Sequence, residues 1–236
     1  MAAAVRKLCG GRARDPLPMT TVRDGLTGKT GDAARKLNEL LAQAGESGLD
    51  PEVASRFENY LGLLMRWNAR VNLTAIRDVE GILSRHFVES IVCARAIPEG
   101  VGTLLDFGSG AGFPGIPIAL CRPDIAVTLA ESQTKKAAFL REALRTLCLC
   151  AEVWGQRAET LDSSFDGVTM RAVDRMEKAA GSAAKLVAHD GWLVLMTTGN
   201  EIPGLQAGVG EEWGWTRTIR LPGSADGVIV LGTRVR

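Results

Sequence analysis

Residues 106–112 read Asp-Phe-Gly-Ser-Gly-Ala-Gly, between the apolar run Thr103-Leu104-Leu105 and the segment Phe113-Pro114-Gly115-Ile116-Pro117-Ile118-Ala119-Leu120. A strand that passes through closely spaced glycines into a helix has few solutions. The glycines permit a tight turn, leave bare backbone for a ligand to approach, and deliver the chain to a helix start with unpaired amide groups. The pattern therefore predicts an α/β fold with a nucleotide-like cofactor at the turn. Glu131 follows the next apolar run, Ile125-Ala126-Val127-Thr128-Leu129-Ala130. It stands about 20 residues beyond the glycines, the separation at which a carboxylate meets a ribose.

The rest of the chain extends this reading. From residue 100 onward, strands expected at 103–107, 125–130, 151–154, 166–170 and 192–197 alternate with helices at 113–121, 134–147 and 176–188. That alternation implies a parallel, doubly wound sheet. The last two apolar runs, 216–221 and 228–231, are joined by Pro222-Gly223-Ser224-Ala225-Asp226-Gly227, too short for a helix, so they form an antiparallel hairpin. Before residue 100 the period is helical. One helix is expected over 32–44 with Asp32 as N-cap, and a second opens at Asp50-Pro51-Glu52 and breaks at Asn68–Asn72. A third runs over 79–96, with Ile82, Leu83, His86, Phe87, Ser90 and Ile91 on or near one face. The organisation is thus an extension over 1–30 expected to be disordered or frayed, with Met19 a second candidate start beside Met1. A helical cap over 31–100 and an α/β core over 101–236 then form one compact unit.

Bulk properties exclude several classes. A chain of 236 residues, 46% hydrophobic, buries a large core, and a net charge of +1 gives no whole-molecule signal for nucleic acid, so such a role requires local clusters of Lys and Arg. The five cysteines include no CxxC pair, and with only two histidines a metal site is not expected; reduced thiols point to the cytoplasm. No run reaches the roughly 20 apolar residues of a membrane span, and Met1–Cys9 lacks the apolar core of a secretory signal.

Spacing separates the cofactors. In a dinucleotide fingerprint the third small residue would fall at Phe113, a poor fit, whereas D-x-G-x-G-x-G counted from Asp106 resembles motif I of the Rossmann-like methyltransferases. Trp67-Asn68-Ala69-Arg70-Val71-Asn72-Leu73-Thr74, Arg85-His86-Phe87-Val88-Glu89-Ser90 and Gly108–Pro117 make the resemblance specific. From about residue 35 to its end the chain resembles the bacterial RsmG (GidB) family, guanine-N7 methyltransferases of small-subunit rRNA. The resemblance implies a class I S-adenosylmethionine-dependent fold with a terminal antiparallel hairpin and an N-terminal helical cap. It also implies cofactor contacts from Gly108, Phe113, Ala158, Glu159 and Arg171, to which the glycine loop adds Gly110, Gly112 and Asp106, and the end of the next apolar run adds Glu131. For Asp106, bracing of the loop stands as an equal alternative. The family commonly has Lys-Gly after the fifth strand, where this chain has Thr198-Gly199.

Transfer of a methyl group to guanine N7 uses a lone pair available at neutral pH, so no general base and no catalytic side chain are expected, only alignment of the reactants. His86 and His189 are too far from the motifs in sequence to receive a role. The expected partner is 16S rRNA or the 30S particle, acted on by a monomer, with Arg85, Lys135, Lys136 and Arg157 as RNA-binding candidates among the basic residues of the cap and of the helix after Glu131. A noncatalytic RNA-binding or assembly factor that keeps the cofactor fold, motivated by Thr198, and an NAD-dependent oxidoreductase are the rival readings.

Overall fold

The computed structural model describes residues 31–234. The expected disorder of residues 1–30 and the choice between Met1 and Met19 lie outside the described residues. Seven strands, β1 (Thr103–Phe107), β2 (Ala126–Ala130), β3 (Glu152–Trp154), β4 (Phe165–Arg171), β5 (Val187–Thr198), β6 (Trp213–Arg220) and β7 (Gly227–Arg234), form one sheet in the order β3-β2-β1-β4-β5-β7-β6. The first five pair in parallel, while β7 pairs antiparallel with β5 and β6. Crossover helices α4 (Gly115–Cys121), α5 (Thr134–Thr146) and α6 (Met176–Lys185) link the parallel strands.

Period-two alternation divides the sheet into two faces. On one, Leu104, Val127, Leu129, Val194, Met196, Ile229 and Leu231 pack with helices α1 (Asp32–Gln43), α2 (Pro51–Asn68), α4 and α5 in one cluster. On the other, Leu105, Phe107, Val168, Met170, Leu193 and Leu195 pack with α6 and with α7 (Ile202–Val209). Helix α3, over residues 79–96, joins the first face and has three segments: α-helical Val79–Gly81, π-helical Ile82–Val88 and α-helical Glu89–Ala96. Cap and sheet share a single core, and its centre is aromatic. Tyr60, with no exposed surface, stacks on Phe87 at 5.2 Å between ring centroids and tilts against Phe113 at 5.5 Å. Such pairs add about 0.5–1.5 kcal/mol each beyond area burial.

Several local expectations change. Asp32 is the first residue of α1, and Gly31, in the left-handed region, is its N-cap. Asp50 caps α2 without a side-chain hydrogen bond. Helix α4 starts at Gly115 rather than 113, with Pro114 as its N-cap. Helix α7 is absent from the periodicity, since Gly204 and Gly208 interrupt its apolar pattern. Those glycines serve contact instead: a Cβ at Gly208 would stand 2.6 Å from the Glu177 carbonyl oxygen. Thr198, where the family commonly has lysine, forms a capping box with Glu201 at the turn Gly199–Glu201, and it does not line the cleft described below.

Candidate functional site

At the C-terminal ends of β1, β2 and β4 the surface opens into a cleft of about 800 Å³. Its floor is the glycine loop. Gly110 has φ +60° and Gly112 has φ +93°, left-handed values that a side chain disfavours. A Cβ at Gly110 would meet only the Gly108 carbonyl oxygen at 3.8 Å, so this residue leaves open space for a ligand. At Gly112 a Cβ would lie 2.5 Å from Ile116 Cδ1 and 2.7 Å from Tyr60 Oη, so the space belongs to the core. Gly112 therefore packs against the core and does not line the cleft.

Asp106 takes the loop-bracing position that the sequence left open beside cofactor contact. Its carboxylate has no exposed surface and accepts from Ser109 Oγ (2.5 Å), Gly115 N (3.1 Å) and Thr169 Oγ1 (3.1 Å). It braces the loop from beneath and does not line the cleft. Burial pushes its pKa up to about 6, against the pull of those three donors.

This placement bears on the choice of cofactor. A pyrophosphate needs free amides and positive dipole at the helix start. Here the Gly115 amide is taken by Asp106, the Ile116 amide bonds to Gly112 O, and Pro114 and Pro117 have none. The start of α4 already holds a carboxylate, so it makes a poor dinucleotide site.

Glu131, buried at the end of β2, accepts from Gly110 N (3.0 Å) through Oε2 and from Gln133 N (2.7 Å) through Oε1. A carboxylate offers about four acceptor positions. Glu131 thus ties the loop to the start of α5 and retains acceptors for hydroxyls in the cleft. Gly108, Gly110, Phe113, Glu131, Ala158, Glu159 and Arg171 all line the cleft, as do Lys136 and Arg157 of the RNA-binding candidates. Arg85 and Lys135 do not. Lys135 lies one residue from Lys136, hence about 100° around the helix and off the cleft. Arg85 donates through Nε to Glu89 Oε1 at 2.8 Å, with its side chain half-exposed.

Sequence reasoning missed the cap side of the cleft, formed by Leu73, Thr74 and His86, and the rim residues Arg175 and Lys178. Asn68 is the organiser. Its buried Oδ1 accepts from Leu73 N (2.9 Å) and Thr74 N (3.1 Å), which folds the loop after α2 back toward the sheet. Thr74 Oγ1 then meets His86 Nε2 at 2.7 Å, and the imidazole stacks on Phe113 at 4.6 Å. The W-N-x-x-x-N-L-T and R-H motifs are therefore two sides of one contact. The π-helical turn of α3 carries His86, and such turns recur at functional sites.

Burial, helped by Arg171 and Arg85, lowers the His86 pKa to about 3. The folded value lies below the unfolded one, so the folded state binds fewer protons between the two. His86 stabilises fully above about pH 6.5, and that stability is lost as pH falls toward 3. Wild-type unfolding free energy is expected to drop between pH 6.5 and 4 by up to about 3 kcal/mol more than that of His86→Gln. Asp106 titrates in both proteins and cancels in the difference. Denaturant titrations at a series of pH values check this, and parallel pH profiles would contradict it.

Arg171, last residue of β4, alternates onto the cap face with Thr169 while Val168 and Met170 face α6. Its Nη2 donates to Glu89 Oε2 (2.5 Å) and to Arg85 O (2.7 Å). Its Nη1 is buried without a partner. An unsatisfied buried charged donor at a cleft wall calls for an anionic or carbonyl ligand. The residues present thus fit an adenosyl amino acid: acceptors for a ribose at Glu131, open backbone at Gly110 and a free guanidinium nitrogen at Arg171.

Comparison with known proteins agrees with this geometry. The family described as rRNA small subunit methyltransferase G matches residues 53–203. The chain belongs to this family. The family's Xanthomonas campestris pv. campestris (strain 8004) protein, named ribosomal RNA small subunit methyltransferase G, is 42% identical over 187 residues, covering 76% of this chain and 85% of that protein. A protein of the same name from Halorhodospira halophila is 45% identical over 150 residues, 63% of this chain and 71% of its own. Among solved structures, TYW2 of P. horikoshii in complex with MeSAdo aligns with TM-score 0.53 at 14% identity over 64% of this chain and 63% of that one. A ribosomal protein L11 methylase from Lactobacillus delbrueckii subsp. bulgaricus aligns with TM-score 0.52 at 12% identity over 62% and 77%. At such identities these two establish the methyltransferase fold alone. Among the described residues there is no group of three or more His, Cys, Asp or Glu suited to a metal, and no helix long and apolar enough to cross a membrane.

Proposed function

We propose that this chain transfers a methyl group from S-adenosylmethionine to N7 of a guanine in 16S rRNA, either free or in the 30S particle, acting as a cytoplasmic monomer. The observation that carries the cofactor reading is the convergence of Glu131, Gly110 and the unpaired Arg171 nitrogen on one cleft whose adjacent helix start is already filled by Asp106. Gly108, Gly110 and Phe113 would underlie the cofactor, Glu131 would accept from its ribose, and Ala158 and Glu159, in the turn Ala158–Thr160, would border its adenine. When bound, S-adenosylmethionine supplies the electrophilic methyl group.

The protein's own residues then align and shield. His86, with its conjugate acid at about 3, is neutral and a very weak base, which suits an acceptor atom that carries no proton to remove. Thr74 and Phe113 fix its ring at the cap wall. Alignment of this kind accounts for on the order of 7–11 kcal/mol of a barrier. Lys136, Arg157, Arg175 and Lys178 along the rim supply positions for phosphates, and the target base must leave its stack to enter.

Methyl transfer from labelled S-adenosylmethionine to 16S rRNA and to 30S particles, with the product mapped at N7 by its base-specific strand scission, tests the reading. Incorporation at a ring carbon, at an exocyclic nitrogen or at a ribose would overturn the N7 assignment. Lys136→Ala/Arg157→Ala is expected to weaken rRNA binding by more than tenfold while leaving S-adenosylhomocysteine affinity within about threefold. Its log–log salt slope should fall by about 0.7–0.9 per lost phosphate contact. An unchanged slope would remove these two residues from the RNA path.

A further inference from the structure

Glu89 is a buried acid with no place in the chemistry just described. Its side chain is 1% exposed, yet it ion-pairs with Arg85 through Oε1 (2.8 Å) and with Arg171 through Oε2 (2.5 Å). Arg171 belongs to the sheet, 82 residues away in sequence, so the contact ties the cap helix α3 to the cleft wall. Taking a carboxylate out of water is costly unless its acceptors are filled and its charge is matched. Here each oxygen accepts from one arginine and two guanidinium charges face the carboxylate, though burial still holds its pKa above the usual carboxylate value, and the geometry has a consequence for the guanidinium. Its Nη2 is engaged twice, by Glu89 and by the Arg85 carbonyl, so rotation of the planar group is blocked and Nη1 is held buried without a protein partner on a residue that lines the cleft. A guanidinium donates in a fixed fork, and holding one edge aims the other.

We propose that Glu89 is a positioning residue that presents Arg171 Nη1 to the carboxylate of the amino-acid end of the cofactor. This rests on the S-adenosylmethionine reading above. Glu89 acts through Arg171 and touches no ligand. It also offsets one of two cationic charges, Arg85 and Arg171, beside a site that must admit a positively charged sulfonium. A neutral residue at position 89 leaves the guanidinium free to turn and raises the local positive charge. The added charge by itself would favour an anion, but the loss of a fixed donor direction outweighs it and weakens the recognition of a carboxylate at one defined place without altering the adenosine end.

The test compares two thioethers that differ only in that carboxylate: S-adenosylhomocysteine and its decarboxylated counterpart, titrated calorimetrically into the full chain. Wild type is expected to prefer S-adenosylhomocysteine. Glu89→Gln should weaken S-adenosylhomocysteine at least tenfold and change the decarboxylated ligand by less than about twofold. Arg171→Met should show the same selective loss, and the double variant should lose no more than either single one. Where Glu89→Gln fails to fold, Glu89→Asp carries the same comparison, since a shorter acid keeps the charge and withdraws the oxygens. Equal weakening of both ligands, or an unchanged preference in a folded variant, would overturn the proposal as a merely structural contact. A wild-type protein that binds neither thioether would overturn the cofactor reading, and this inference with it.

Discussion

Gly110→Val is expected to abolish binding of S-adenosylmethionine while the protein stays folded. The wild-type Cα faces the cleft, and the first atom of a side chain there meets nothing nearer than the Gly108 carbonyl at 3.8 Å. Protein packing is therefore spared, and the folding cost is that of a β-branched residue at φ +60°, about 1–3 kcal/mol. The ligand loses more. The valine methyl groups occupy the space above the loop, and the change in backbone preference strains the Gly110 amide bond to Glu131 Oε2. A loss of at least about 100-fold in affinity, ~2.7 kcal/mol, is expected. Calorimetric titration with S-adenosylmethionine, alongside thermal unfolding, measures both quantities. Retained affinity in a folded variant would place the cofactor elsewhere.

Gly112→Ala, two residues along the same loop, is expected to do the reverse and cost folding. One methyl group would meet Ile116 Cδ1 at 2.5 Å and Tyr60 Oη at 2.7 Å, at a backbone φ of +93°. Ile116 can turn its terminal methyl away, but Tyr60 cannot retreat easily. Its ring is stacked on Phe87, and its hydroxyl donates to Ala111 O at 2.5 Å. Burial, and secondarily Asp106, holds the Tyr60 pKa well above its usual value, so the hydroxyl remains a donor at all ordinary pH. Overpacking together with left-handed strain is expected to destabilise by about 3–5 kcal/mol. Chemical denaturation reads it directly. A loss below about 1 kcal/mol would mean that the loop is free to shift, and Tyr60 would not be its clamp.

These two glycines show where local sequence stops being informative. Both belong to D-x-G-x-G-x-G, and the motif assigns both to the ligand; the difference comes from Tyr60, some 50 residues earlier. The same holds for the acids. Asp106 and Glu131 share the same strand parity, yet Asp106 lies within β1 and is buried among Ser109, Gly115 and Thr169, while Glu131 stands just past the end of β2 and reaches the cleft. Among the basic residues, Lys136 lines the cleft and its neighbour Lys135 does not. A charge count cannot separate adjacent residues on a helix.

Much of the architecture was nonetheless written locally. Strands β1 to β5, the helices between them and the closing hairpin follow from apolar runs of period two, helical stripes and turn residues, because each depends on neighbours within a few positions. The glycine loop and its strand–turn–helix setting were legible for the same reason. Tertiary structure alone decided which side chains share a space. His86 appeared on an apolar helical face with no assignable role, and Glu89 as one letter of a motif. Only when α3 packs against the end of β4 does His86 meet Thr74 and Phe113, and Glu89 meet Arg171. The reason is physical: periodicity records which face of an element is buried, whereas the charge, hydrogen bonds and backbone that cover that face come from segments far away in sequence.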